Sequence, residues 1–149
     1  MSRIDFYHLQ KQNLEAVLPK LLEKAYASGK KIKVKVGNEL RVEFLNALLW
    51  TYNDESFLPH GSKKDGSGEL QPIWFSADDD NPNGAEMLFL TDGAQPSDDI
   101  GNFKRVFNIF DGNNAEAVDA ARNLWRRLKA GGSELHYWQQ DASGRWTEK

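Results

Sequence analysis

The side chains best suited to chemistry lie in one helical segment near the end of the chain. At about 100° per residue, one wedge of that helix holds five residues: Val118, Arg122, Trp125, Arg126 and Lys129. An aromatic floor rimmed with cations suits a short acidic peptide that ends in an apolar side chain. The alternative is that the basic residues complement the negative end of the helix dipole. Arg122 lies a full turn earlier than that alternative requires.

A second candidate surface is an aromatic segment in the first half of the chain. Trp50 and Phe57 precede an extended stretch that contains Pro59 and His60, just before a flexible loop predicted at 61–70. Such a cluster either packs in a core or forms an exposed apolar patch used by a partner. The pattern leaves both readings open.

The polar residues of the chain do not form a recognisable catalytic pattern. His8, His60 and His136 are widely spaced, so we expect surface or interface roles for them and no metal site. The acidic run 78–80 stands beside Asn81-Pro82-Asn83-Gly84, which indicates a solvated loop. The serines lie outside any nucleophile-elbow context. We therefore expect no catalytic residues and no resident metal.

A phosphate cradle needs glycines between a strand and a helix. The candidate turns, 36–38 and 110–114, lack both G-x-G-x-x-G and a G-K-[ST] ending, so we expect no nucleotide cofactor. A small nucleotide-binding or metal-dependent α/β enzyme stays open as the alternative function, because the order of elements is typical of such enzymes.

Composition sets the class of protein. The 149 residues, 40% of them hydrophobic, predict one domain over 1–149. A net charge of −3 argues against direct binding of DNA or anionic membrane, so Lys31, Lys33 and Lys35 are predicted to form a solvated strand face. The chain has no cysteine, which removes disulfides, thiolate catalysis and cysteine-bound zinc. Short apolar runs and the N-terminal residues predict a soluble, cytoplasmic protein.

Hydrophobic periodicity then gives the elements. Six strands are predicted: Ile4–Leu9, Lys31–Val36, Pro72–Ser76, Glu86–Leu90, Arg105–Phe110 and Glu134–Gln139. Three helices are predicted, one starting near Leu18 with Pro19 in its first turn, one capped by Asn38, and one opening with a capping box at 113–116. The order β-α-β-α-β-β-β-α-β predicts an α/β fold, with a mixed, mostly parallel sheet flanked by helices.

Several motifs together carry a resemblance to a known family. They are Asp5-Phe6-Tyr7-His8-Leu9, Leu45-Asn46-Ala47-Leu48-Leu49-Trp50, Ser56-Phe57-Leu58-Pro59-His60-Gly61 and Arg105-Val106-Phe107-Asn108-Ile109-Phe110-Asp111-Gly112. These motifs occur in this order and extend over nearly the whole chain, and together they make it resemble the chi subunit of bacterial DNA polymerase III holoenzyme. The resemblance implies a Rossmann-like domain that has lost nucleotide binding and acts as a non-catalytic replication adaptor.

The resemblance also implies partners. One surface binds the acidic, phenylalanine-ended tail of single-stranded DNA-binding protein, and by position it falls on Arg122, Trp125, Arg126 and Lys129. Another binds the psi subunit, or another clamp-loader or helicase partner, and falls on Trp50, Phe57, Pro59 and His60. DNA would be contacted mostly indirectly. The chain departs from the family where Trp125 replaces a familiar tyrosine and Val118 replaces a lysine that would help to bind the tail.

Overall fold

The alternating apolar segments form the strands of one sheet, and the helical stripes form three helices. The computed structural model describes residues 3–51, 59–63, 65–96 and 98–149. The strands are β1 (Arg3–Leu9), β2 (Ile32–Lys35), β3 (Ile73–Ser76), β4 (Met87–Leu90), β5 (Arg105–Asp111), β6 (Glu134–Gln140) and β7 (Trp146–Glu148). The helices are α1 (Leu14–Tyr26), α2 (Glu39–Thr51) and α3 (Ala115–Ala130).

The sheet has the strand order β3-β2-β4-β5-β1-β6-β7. All neighbours are parallel except β6 and β7, which pair antiparallel. The predicted α/β class, the mostly parallel sheet and the order of the first nine elements are therefore confirmed. Strand β7 was not predicted, because its three residues, Trp146–Glu148, are too few to show an alternation.

Helices α1 and α2 cover one face of the sheet. Leu18 and Leu22 of α1 and Leu45 of α2 have no exposed surface, and they join one apolar cluster with Ile32 and Phe89 from the strands. Helix α3 covers the other face, where Ala121 and Leu124 pack with Phe6 and Val106. The two faces are thus closed by helices from different parts of the chain.

On the α3 side, β2 and β4 are covered by the loop at 77–85 together with Ala94 and Phe103. For this reason the predicted solvated lysine face is wrong for Lys33, which is only 2% exposed and whose ammonium donates to the Asp80 carboxylate at 2.9 Å. Lys31 is exposed, as predicted, and Lys35 is partly buried.

The predicted solvated acidic loop is correct for Asp78 and Asp79, which are both 55% exposed, and wrong for Asp80, which turns inward to Lys33. Asp80 also accepts from Trp74 Nε1 at 3.1 Å and from Ser76 Oγ at 2.6 Å.

The helix starts differ from the predictions in two places. Helix α1 begins at Leu14 and not near Leu18, because Asn13 caps it by accepting from Ala16 N at 3.0 Å. Pro19 therefore lies inside the helix, where the buried residues on either side of it hold the chain in place. The capping box predicted at 113–116 does not form. The cap of α3 is Asn114, whose Oδ1 accepts from Ala117 N at 3.0 Å.

The segment predicted as a flexible loop contains local structure on either side of residue 64. Gly61 pairs with Trp74 next to β3, and residues 68–70 form a 3-10 turn. Within the ranges described above, no helix combines the length and the apolar character needed to cross a membrane.

Candidate peptide-binding groove and partner surface

A groove of about 250 Å³ runs between α3 and the sheet. Phe110 of β5 and Tyr137 of β6 form its sheet side. Val118, Ala121 and Trp125 form its helix side, and Arg122 and Arg126 stand at the rim. Four of the five residues predicted from the helical wedge therefore line one concave site.

The aromatic walls of the groove are held by neighbouring rings. The Trp125 ring meets Phe6 edge-on at 5.2 Å and Tyr137 edge-on at 6.0 Å between centroids. Trp125 is half-buried, which agrees with the predicted position at the boundary between the core stripe and the basic stripe. One part of the indole is therefore fixed by the core while another part faces the groove.

The rim cations have no internal counter-charge among the described residues, in contrast to Arg41 and Arg105. Arg41 is paired with Glu15 and Asp92, and Arg105 is paired with Asp5. Among the residues that the structure describes, Arg122 and Arg126 form no ion pair, and both are exposed. Since their charges are not neutralised within the fold, they are available to an anion from outside.

Lys129 does not line the groove, but it continues the rim. It lies seven residues beyond Arg122, so at 1.5 Å per residue the cationic stripe extends about 10 Å towards the end of α3. Arg122 is also too far from that end to be explained by the helix dipole alone. The helix dipole therefore does not account for Arg122, whereas Lys129 lies in the last turn of α3, where the dipole does favour a cation.

A buried histidine supports the Tyr137 wall. His8, at 8% exposure, lies beneath the groove, and its Nδ1 is hydrogen-bonded to the Tyr137 hydroxyl. Gly112 leaves room for the ring, because a Cβ at that glycine would lie 2.1 Å from His8 Nε2. Burial lowers the pKa of His8, and the nearby Arg122 lowers it further, while the Gly112 backbone and Asp111 act in the opposite direction. Neutral His8 is therefore the form that supports Tyr137.

Sequence reasoning missed the sheet side of the groove. Phe110 and Tyr137 lie on different strands, and their proximity depends on β1 pairing with both β5 and β6. The available signal was the alternation of β5, which puts Val106 and Phe110 on the same face, together with the placement of α3 over that face. The strand order was the missing information.

The second predicted surface is only partly assembled in the described residues. Trp50 is 50% exposed, and its ring lies 4.3 Å from the His60 ring. Pro59 is half-buried beside them, and Phe57 lies outside the described residues. His60 is 3% exposed and its Nε2 is 2.8 Å from the Asn46 carbonyl oxygen, so it supports Trp50 from below. Of this set, His60 is buried, and Trp50 and Pro59 are the described members that reach the surface.

No group of three or more histidine, cysteine, aspartate or glutamate side chains within 3–51, 59–63, 65–96 and 98–149 could hold a metal ion. His136, the third histidine, lies between Glu134 and Glu148 at 2.7 and 2.6 Å, where the two strands β6 and β7 meet. These carboxylates raise the pKa of His136, Glu134 most strongly.

Comparison with known proteins decides the family. A family model described as DNA polymerase III chi subunit, HolC, matches residues 1–136. The chain belongs to the DNA polymerase III chi subunit family. A chi-family relative, "Probable DNA polymerase III subunit chi" from Rickettsia prowazekii (strain Madrid E), is 35% identical over 117 residues, which cover 74% of this chain and 71% of that protein.

Both matches agree with the resemblance read from the sequence motifs, so that prediction is confirmed. The match to the chi model ends at residue 136, one position before Tyr137. It includes all of α3, and with it the cations of the groove. Chi membership places this chain among the subunits of DNA polymerase III, and so in DNA replication.

Proposed function

We propose that this chi-family protein is a non-catalytic adaptor of the replisome, which binds the acidic C-terminal tail of single-stranded DNA-binding protein in the α3 groove. The observation that carries the proposal is the pair of unneutralised guanidinium groups, Arg122 and Arg126, at the edge of an apolar groove. An aromatic side chain at the end of the tail would enter the groove and pack against Trp125 and Tyr137. The terminal carboxylate would accept hydrogen bonds from the arginines.

The energetics of such a contact fit an adaptor. A hydrogen bond to a charged group contributes about 1.5–3 kcal/mol, and the partly exposed rim favours the lower end of that range. One tail would bind weakly, and several tails offered together would bind more tightly through avidity. Val118 carries no charge, so apolar contacts should contribute the larger part of the affinity for the tail.

The test is a titration of a peptide carrying the tail sequence into wild type and Arg122→Ala. We expect about tenfold weaker binding for the variant, the factor that corresponds to one such hydrogen bond. Arg127→Ala is the matched control: Arg127 is exposed on the same helix, but it does not line the groove. Equal affinity of wild type and Arg122→Ala would refute the site.

A peptide with an amidated C-terminus tests the chemistry of the same contact. It lacks the terminal negative charge, so it should bind wild type about as weakly as the normal peptide binds Arg122→Ala. If amidation has no effect, the arginines contact other acidic residues of the tail and the proposed orientation is wrong.

We propose further that Trp50 and Pro59, supported by His60, contact the psi subunit or an equivalent clamp-loader or helicase partner. The supporting observation is a tryptophan half exposed on the outer side of α2. Trp50→Asp should prevent co-elution with purified psi subunit in size-exclusion chromatography. Leu40→Asp is the control, because Leu40 is 86% exposed on the same helix but lies ten residues earlier. Co-elution of Trp50→Asp would refute the assignment.

A further inference from the structure

Trp50 of the second predicted surface is supported by a segment outside its own helix. The centroid of its ring lies 4.3 Å from that of His60, which belongs to the segment 59–63 between α2 and β3. His60 is buried, and its Nε2 donates to the Asn46 carbonyl oxygen at 2.8 Å. The orientation of Trp50 therefore depends on how firmly this segment is attached to α2.

One carboxylate oxygen joins the segment to α2. Asp65 Oδ2 accepts from Asn46 Nδ2 on the helix at 2.9 Å, and from the backbone N–H of Ser62 on the segment at 2.9 Å. The Ser62 amide lowers the pKa of Asp65 most strongly, partial burial opposes it, and Asn46 lowers it further. The carboxylate is therefore charged at neutral pH, and hydrogen bonds to a charged acceptor are stronger than those between neutral groups.

The two donors that Asp65 binds belong to buried residues. Asn46 is 7% exposed, and Ser62 has no exposed surface. In the described part of the chain Asn46 Oδ1 has no hydrogen-bond partner, so the carboxamide is held through its Nδ2 atom. A buried polar group that loses its partner keeps the full cost of its desolvation. Loss of the Asp65 carboxylate would therefore loosen the helix side and the segment side of the contact together.

Further contacts fix the same segment in its position. Ser62 Oγ donates to Glu43 Oε1 on α2 at 2.9 Å. Gly61 exchanges backbone hydrogen bonds of 3.0 and 2.9 Å with β3. A Cβ at Gly61 would lie 3.3 Å from Asp65 Cβ, so the glycine lets the carboxylate approach closely. The segment is thus held between α2 and β3 by the fold itself.

We propose that Asp65 is a positioning residue for the second predicted surface. Through its hydrogen bonds to α2 and to Ser62, Asp65 holds the segment in place, and His60 then keeps the Trp50 indole in one orientation. The inference rests on the proposed binding of the psi subunit or an equivalent partner at Trp50. A preorganised surface binds more tightly than a mobile one, because less side-chain freedom is lost on binding.

The first measurement is the NMR signal of the Trp50 indole N–H, identified by its absence in Trp50→Phe. In Asp65→Leu, which has no acceptor, this signal should move towards its position in His60→Ala, where the supporting ring is missing. Asp65→Asn keeps an acceptor oxygen and should leave the signal near its wild-type position. An unchanged Trp50 signal in Asp65→Leu would overturn the proposal.

Glu69→Leu is the matched control for the loss of one negative charge. Glu69 is an exposed acid four residues further along, and its side chain has no hydrogen bond within the described ranges. This variant should leave the Trp50 signal in place. A shift as large as that of Asp65→Leu would show that charge, and not the hydrogen bonds of Asp65, sets the orientation of the indole.

The second measurement is the calorimetric affinity for purified psi subunit. Asp65→Leu should bind about tenfold more weakly, the factor that corresponds to one charge-assisted hydrogen bond, whereas Asp65→Asn should stay within about twofold of wild type. Equal affinity of wild type and Asp65→Leu would overturn the proposal even where the Trp50 signal has moved. Absence of psi binding by wild type contradicts the proposed partner instead, and the Trp50 signal still decides whether Asp65 positions the indole.

Discussion

At the scale of single residues, the hydroxyl of Tyr137 connects the groove to the buried His8. Replacing it in Tyr137→Phe removes one hydrogen bond and leaves His8 Nδ1 without a partner. We expect a loss of about 1 kcal/mol in the free energy of unfolding. Because the hydrogen bond to His8 no longer holds the ring of residue 137 in place, we expect peptide binding to weaken several-fold. Urea unfolding and peptide titration measure the two effects.

A double-mutant cycle distinguishes positioning from general loosening of the core. His8→Phe should weaken peptide binding to a similar extent as Tyr137→Phe, and the double variant should be no worse than either single one. Additive losses would mean that His8 and Tyr137 act independently, and that the hydrogen bond does not position the wall.

His136 gives a pH dependence whose sign follows from its neighbours. Glu134 and Glu148 raise the pKa of His136 above its ordinary value of 6.5 in the folded chain. The stabilisation is therefore fully present below that ordinary value, and it is lost as the pH rises through the raised pKa. Thermal unfolding across this pH range should show that the difference in melting temperature between wild type and His136→Gln shrinks as the pH rises. A constant difference would contradict the prediction.

At the scale of elements, the pair Lys33 and Asp80 fixes the loop that covers β2. Asp80→Ala should cost about 3 kcal/mol in unfolding free energy, because it leaves a buried ammonium without its carboxylate. Asp79→Ala is the matched control, since Asp79 is 55% exposed and its partner Lys35 lies nearer the surface. That change should cost less than about 1 kcal/mol. Similar losses in both variants would contradict the distinction.

The same pair predicts sensitivity to acid. Burial would raise the pKa of Asp80, but hydrogen bonds from Lys33, Ser76 and Trp74 lower it to about 2. Stability from this carboxylate is therefore present above its ordinary pKa of 3.8, and it is lost as the pH falls towards 2. In Asp80→Ala this part of the acid dependence should be absent, which a series of unfolding curves at falling pH measures.

These elements also show what the sequence could and could not predict. The cations of the groove could be predicted from the sequence, because residues three and four apart on a helix share a face. The burial of Lys33 was missed, since its alternation with Ile32 and Val34 is equally typical of a strand with one solvated face. Only the tertiary position of loop 77–85 decides between the two.

At the scale of the whole molecule, the two proposed partner surfaces lie on opposite faces of the sheet. Trp50 stands on α2, which packs near the β3 edge, whereas Trp125 stands on α3 above β5 and β1. Neither Trp50 nor His60 lines the groove. This arrangement suits a protein that holds two partners at once.

The expected result is independent binding. Trp50→Asp should leave the affinity for the tail peptide unchanged, and Trp125→Ala should leave co-elution with psi subunit unchanged. Peptide titrations with and without saturating psi subunit give the coupling directly. A several-fold change in peptide affinity upon psi binding would show that the surfaces communicate through the sheet.

The position of β1 has a consequence for how the chain is made. This strand is synthesised before β5 and β6, yet it pairs with both of them in the sheet. Arg3 of β1 aligns with Arg105 of β5 and with Glu134 of β6. More than a hundred residues are synthesised before β5 and β6 can pair with β1. Until then the backbone N–H and C=O groups of β1 are unpaired and can form hydrogen bonds with other chains. Fragments that stop before β6 should therefore aggregate or depend on chaperones, and native structure should form late and all at once.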